Sequence, residues 1–83
     1  MPTVTEMLER RPTLEEAKRV IGGGYIQMIT LPNGDQLLLD EDGKFKGLPV
    51  NVQATALADD ILHPGDVIVG DVLILKGEAR WVD

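Results

Sequence analysis

The chain has 83 residues, 43% hydrophobic and 27% charged, with 14 acidic side chains against 8 basic ones for a formal charge of −6. That length holds one core and no second domain, and the composition is that of a globular protein rather than a disordered tail. The acidic balance excludes a broad cationic nucleic-acid surface, and the absence of cysteine excludes disulfides and thiolate metal sites.

So short a chain buries only about 60–65% of the surface its unfolded form exposes. A lone histidine, His63, cannot build a histidine-based metal site; no metal and no cofactor are expected. The remaining stabiliser is self-association, and a homo-oligomer is expected on that ground. No apolar run approaches the roughly 20 residues of a membrane helix. Residues 3–11 are polar and unlike a signal peptide. The cytoplasm is the expected location.

The expected fold is α+β, with short N-terminal helices packed on a small, mainly antiparallel sheet of about five strands. Residues 1–12 read as a helical arm and residues 13–83 as the core. Thr3 with Glu6, and Thr13 with Glu16, both fit the capping box, and Pro12 separates the two segments. Leu14, Ala17, Val20 and Ile21 make an apolar helical stripe, and Gly22 supplies its C-terminal cap.

Strands are predicted next. Residues 25–31 are apolar and β-branched, Asn33-Gly34 marks a hairpin turn, and residues 36–40 return. Asp42-Gly43 predicts a second turn that sends Lys44 and Phe45 back in extended form. Asn51 is placed to cap a short helix reaching about Ala58. His63-Pro64-Gly65-Asp66 reads as a turn. Residues 67–75 form the longest apolar stretch, interrupted at Gly70-Asp71, and residues 79–82 close the sheet. The runs 37–39 and 67–69 are apolar on both faces and need cover on both. One helix covers one face; a partner subunit is the expected cover for the other.

No motif carries catalysis. Gly22-Gly23-Gly24 runs from helix to strand, the reverse of a phosphate loop, and reads as a cap and turn. Asp40-Glu41-Asp42-Gly43, aligned as a calcium loop on its glycine, puts Leu38 and Pro49 at the first and last ligand positions, which excludes calcium. The chain contains no serine. An acid/base pair drawn from His63, Asp59, Asp60, Asp66 and Asp71 is the minority reading, because these positions suit turns. The aromatics are Tyr25, Phe45 and Trp81. Core packing accounts for all three. The Lys44-Phe45-Lys46 set also suits a nucleotide, with a ring to stack and an ammonium for phosphate, or an edge strand with charges outward.

Five segments carry a resemblance. They are Ile21-Gly22-Gly23, Tyr25-Ile26-Gln27, Glu41-Asp42-Gly43-Lys44, Leu48-Pro49-Val50-Asn51 and Asp66-Val67-Ile68-Val69-Gly70-Asp71. In this order they resemble a phage and plasmid family of small domains, domain of unknown function 3846. Gly24 is an additional glycine, Gln27 stands where the pattern has Glu, and Asp40 where it has Asn. The family name specifies no activity. Its occurrence in mobile elements implies accessory work such as counter-defence.

Three functions follow as expectations. The first is a non-catalytic homo-oligomeric module that sequesters a nucleotide immune signal, with Tyr25 and Phe45 stacking, Lys44 on phosphate, and Asn51 on a base edge or ribose. The second is an acidic DNA mimic or protein-interaction inhibitor of a host nuclease. The third is an enzyme degrading such a signal through Asp66, Asp71 or His63.

Overall fold

The computed structural model describes residues 1–81. Four strands and two helices follow in the order β1 (Val4–Met7), α1 (Leu14–Ile21), β2 (Ile26–Thr30), β3 (Gln36–Asp40), α2 (Val52–Leu57) and β4 (Val72–Leu75), with a 3-10 turn at Gly77–Ala79. They make one sheet in the order β1-β4-β3-β2. The β2–β3 and β3–β4 pairs are antiparallel, and β1 runs parallel to β4. The fold is α+β, as expected, with four strands among the described residues rather than about five.

The local signals are satisfied where they act over a few residues. In α1, Glu16 N–H donates to Thr13 Oγ1 at 3.1 Å and Thr13 N–H donates to Glu16 Oε1 at 3.0 Å, completing the capping box. Gly22 ends the helix in the left-handed region at φ 92°. The β2–β3 hairpin closes through Leu31 N–H to the Asp35 carbonyl at 2.8 Å.

The expected N-terminal helical arm is instead β1, an integral strand of the sheet. Central strand β4 would otherwise carry unpaired N–H and C=O groups along one side. Val4 and Thr5 are β-branched and suit the pleat. The strand is pinned at both ends. Val72 N–H donates to the Thr3 carbonyl at 3.0 Å and Lys76 N–H to the Met7 carbonyl at 2.9 Å. Asp71 Oδ1 accepts from Thr3 N–H at 2.9 Å. The Thr3 and Glu6 capping pattern loses because that one turn of helix would bury less and leave β4 open.

Three other segments depart from expectation. Lys44 and Phe45 lie in consecutive turns over residues 41–47, where Lys46 N–H reaches the Asp42 carbonyl at 3.0 Å and Leu48 N–H the Gly43 carbonyl at 3.1 Å. Residues 67–75 are not one strand. Val69 makes an isolated bridge to Val50, and Gly70 at φ 78° turns the chain before β4 begins. Of the closing segment at residues 79–82, Ala79 ends a 3-10 turn that begins at Gly77, Arg80 and Trp81 are not in a strand, and Val82 lies outside the described residues.

Strands β3 and β4 are buried along their whole length. On one face Leu38, Leu73 and Leu75 pack under Ala17 of α1 and Ala79. On the other, Leu37, Leu39, Val72 and Ile74 pack with Ala54 of α2, Ala58 and Ile68. Both covers come from this chain, so the two-sided strands do not call for a partner copy.

Candidate ligand-binding site

Strand β3 ends at Asp40, whose side chain is 2% exposed. Lys46 Nζ lies 2.6 Å from Asp40 Oδ2, and Asp42 N–H donates to Asp40 Oδ1 at 2.9 Å. Burial pushes the Asp40 carboxyl up; the bonds from Lys46 and the Asp42 amide outweigh it and hold the group below its ordinary value. The additional glycine of the sequence has its reason here. A Cβ on Gly24 would stand 2.9 Å from Lys46 Nζ and 3.3 Å from Asp40 Oδ1. The neighbouring Gly22 and Gly23 amides are spent on the Arg19 and Lys18 carbonyls at the end of α1, which leaves them a cap rather than a phosphate cradle.

The carboxylate of Asp66 bridges back to this turn. It pairs with Lys44 and accepts from Val67 N–H at 2.9 Å. The Lys44 ammonium, then the Val67 amide, hold the Asp66 carboxyl below its ordinary value. Around the turn, Asp40, Glu41, Asp42 and Asp66 therefore outnumber Lys44 and Lys46.

Two clefts of about 300 Å³ each flank Asp40. The first is lined by Ile21, Gly22, Lys46, Pro49 and Asp71, and the second by Gln27, Glu41, Lys44, Asp66 and Val67. Each is at the small end of the range for ligand sites. The segments carrying the resemblance thus converge on one end of the sheet. Part of their work is to hold it together: Gly70 N–H donates to the Pro49 carbonyl at 2.8 Å, and Asp71 fastens Thr3.

Of the four residues expected to contact a ligand, three share this end. Tyr25 is 70% exposed and Phe45 is 95% exposed. The Tyr25 carbonyl accepts from Glu41 N–H at 2.9 Å, which sets its backbone beside the start of the turn holding Lys44 and Phe45. Trp81, in contrast, packs within the chain, its indole N–H donating to the Pro12 carbonyl at 3.0 Å. Asn51 is corrected. It is 2% exposed, its Oδ1 accepts from Ala54 N–H at 3.0 Å, and its amide nitrogen donates to the Thr3 and Gly70 carbonyls at 3.0 and 2.9 Å. Both of its N–H groups are spent inside the chain, so it caps α2 and ties β1 to the approach of β4.

The residues named for the catalytic alternative divide between two places. His63 and Asp66 share one turn, with Asp66 N–H donating to the His63 carbonyl at 2.9 Å, whereas Asp71 lines the opposite cleft. The sequence drew attention to Asp40 and to Lys46 separately, and what it did not reveal is that the two pair with each other. The one sequence sign of that pairing was the extra glycine at position 24, which is intelligible only once the ion pair is seen beneath it.

The family model described as Domain of unknown function (DUF3846) matches residues 1–82. The chain belongs to this family, and no catalytic family is evident. A search of curated proteins and a search of solved structures each returned no match. Among the described residues, no helix is long and apolar enough to cross a membrane.

Proposed function

We propose that this chain is a non-catalytic binding module of a mobile element, and that its ligand is a nucleotide-derived immune signal held over the turn at residues 41–47. The observation that carries this is the exposure of Tyr25 and Phe45 at the end of the hairpin that also holds Lys44 and Lys46. Solvent-facing aromatic rings are sequence-tolerant stacking platforms for bases. The two lysines differ. Lys44 sits in a largely exposed ion pair, with 61% of its side chain accessible, and such pairs are weak and readily exchanged for a phosphate. Lys46 neutralises a buried carboxylate and cannot leave without stranding it. Lys44 is therefore the phosphate contact, and Lys46 holds the turn. Isothermal calorimetry against cyclic dinucleotides, cyclic mononucleotides and ADP-ribose derivatives tests this. Binding by at least one, lost in Phe45→Ala, is expected, with the ligand recovered intact by mass spectrometry. Silence across the panel at millimolar concentration removes the reading, and a cleaved ligand replaces it with an enzyme.

A second reading is favoured by the charge at the same place. The four carboxylates around two lysines make this end acidic, which suits a basic protein partner such as the nucleic-acid cleft of a nuclease. Partner capture that weakens steeply with salt is its signature; capture indifferent to salt counts against it.

A further inference from the structure

We infer that the open edge of β2 is a pairing surface for a second copy of this chain, joined antiparallel about a two-fold axis at Met28. The inference stands independently of the ligand. Its first support is the direction of the backbone groups. At the two ends of the β2–β3 ladder, Glu41 N–H donates to the Tyr25 carbonyl and Leu31 N–H to the Asp35 carbonyl. With Gln27 opposite Leu39 and Ile29 opposite Leu37, the alternation of an antiparallel pair makes residues 25, 27, 29 and 31 the ones bonded to β3. The N–H and C=O groups of Ile26, Met28 and Thr30 consequently point away from the sheet. Among the described residues, no turn or loop hydrogen bond reaches them.

The second support is the lack of any device that blunts this edge. Natural edge strands are guarded by charge, proline, bulges or cover. Residues 25–31 read Tyr-Ile-Gln-Met-Ile-Thr-Leu, with no charge, proline or glycine. The opposite edge is guarded: β1 carries Glu6, ion-paired with Lys76 at 3.2 Å, and is followed by Glu9, Arg10 and Arg11. Association is therefore directed to one edge and closes at two copies instead of propagating.

The occupant is argued from charge and from self-complementarity. Two copies each at −6 repel over most of their surface, and the β2 edge is a strand where no like charges meet. With Met28 at the axis, Ile26 faces the partner's Thr30, and Met28 faces the partner's Met28, on the α1 side of the sheet. Gln27 lies beside the partner's Ile29 on the α2 side. The same patch serves both subunits, as an isologous contact requires. About six backbone hydrogen bonds join the copies, and the four-stranded sheet continues across the axis. Tyr25, one residue outside the strand, is carried to each end of the seam.

Sedimentation equilibrium of the full chain, combined with amide hydrogen exchange, tests this. Expected is a species of twice 9.1 kDa at micromolar concentration, with Ile26, Met28 and Thr30 amides protected as well as those of Gln27 and Ile29. Met28→Lys sets two ammonium groups against each other at the axis and Met28→Pro removes an outward N–H. Each is expected to weaken association at least tenfold, with an unchanged circular dichroism spectrum and exchange newly fast at Ile26 and Thr30, and at residue 28 itself in Met28→Lys, but not at Gln27 or Ile29. Should Met28→Pro unfold, Met28→Lys decides by itself. A wild-type chain that stays single through the micromolar range overturns the inference. So does a dimer whose Ile26, Met28 and Thr30 amides exchange freely, or one that Met28→Lys leaves as tight as before.

Discussion

The side-chain amide of Asn51 donates to the main-chain carbonyl of Thr3 at 3.0 Å, across 48 positions of sequence. One buried residue thereby caps α2 and holds the entry to β1. Replacing it with Ala removes a helix cap worth about 1 kcal/mol and takes this donor from the Gly70 carbonyl at a further cost of about 1–3 kcal/mol, while the Thr3 carbonyl keeps its bond from Val72 N–H. Asn51→Ala is expected to lose about 2–4 kcal/mol in urea unfolding. A loss below about 1 kcal/mol would mean that water takes over the amide's bonds.

Gly70 adopts φ 78°, and a Cβ there would lie 2.8 Å from Leu48 Cδ1. The leucine tip can swing aside; the backbone cannot. Gly70→Ala is expected to lose about 1–2 kcal/mol, the cost of an L-residue in the left-handed region. Adding Leu48→Ala is expected not to restore that loss, and recovery in the double variant would assign the cost to the clash instead.

Glu16 is held down to about 2 by the Arg10 guanidinium and then by the Thr13 amide, against an ordinary value of 4.5. A carboxyl depressed in the folded state binds its proton more readily when unfolded. Its contribution is therefore complete above about pH 4.5 and is lost as pH falls towards 2. Thermal melts of the wild type and Glu16→Gln should differ at pH 7 and converge near pH 2. A difference constant over that window would show that the ion pair contributes nothing.

Phe45 packs on nothing that would miss it, at 95% exposure. Phe45→Ala is expected to shift stability by no more than about 0.5 kcal/mol. If its ring stacks on a base, the same change weakens ligand binding by about 1–3 kcal/mol. Melting and calorimetry on one sample separate the two. A Phe45→Ala chain that is destabilised by several kcal/mol would place the ring in a core.

Helix α1, the β2–β3 hairpin and the Asn51 cap were legible in the sequence because each is written in bonds between near neighbours. Thr13 meets Glu16, Leu31 meets Asp35, and Asn51 meets Ala54. The placement of the candidate contacts was legible in part. Tyr25, Lys44 and Phe45 do gather at one end, since the hairpin brings residue 25 beside residue 41 by its own register. The pairing of Asp40 with Lys46 was not legible, because it depends on a turn whose compact form only the folded loop displays.

The α+β class, the first helix with its caps, the hairpin and the family are all written in short-range patterns, because periodicity, capping pairs and turn residues act over a few positions. That residues 4–7 are a strand, that α2 covers the second face, and that Asn51 is a tie within the fold emerge only from the folded chain. Those outcomes rest on contacts such as Thr3 with Asp71, 68 positions apart. A buried strand's demand for partners on both sides outweighs the weak preference of one short segment for a helix.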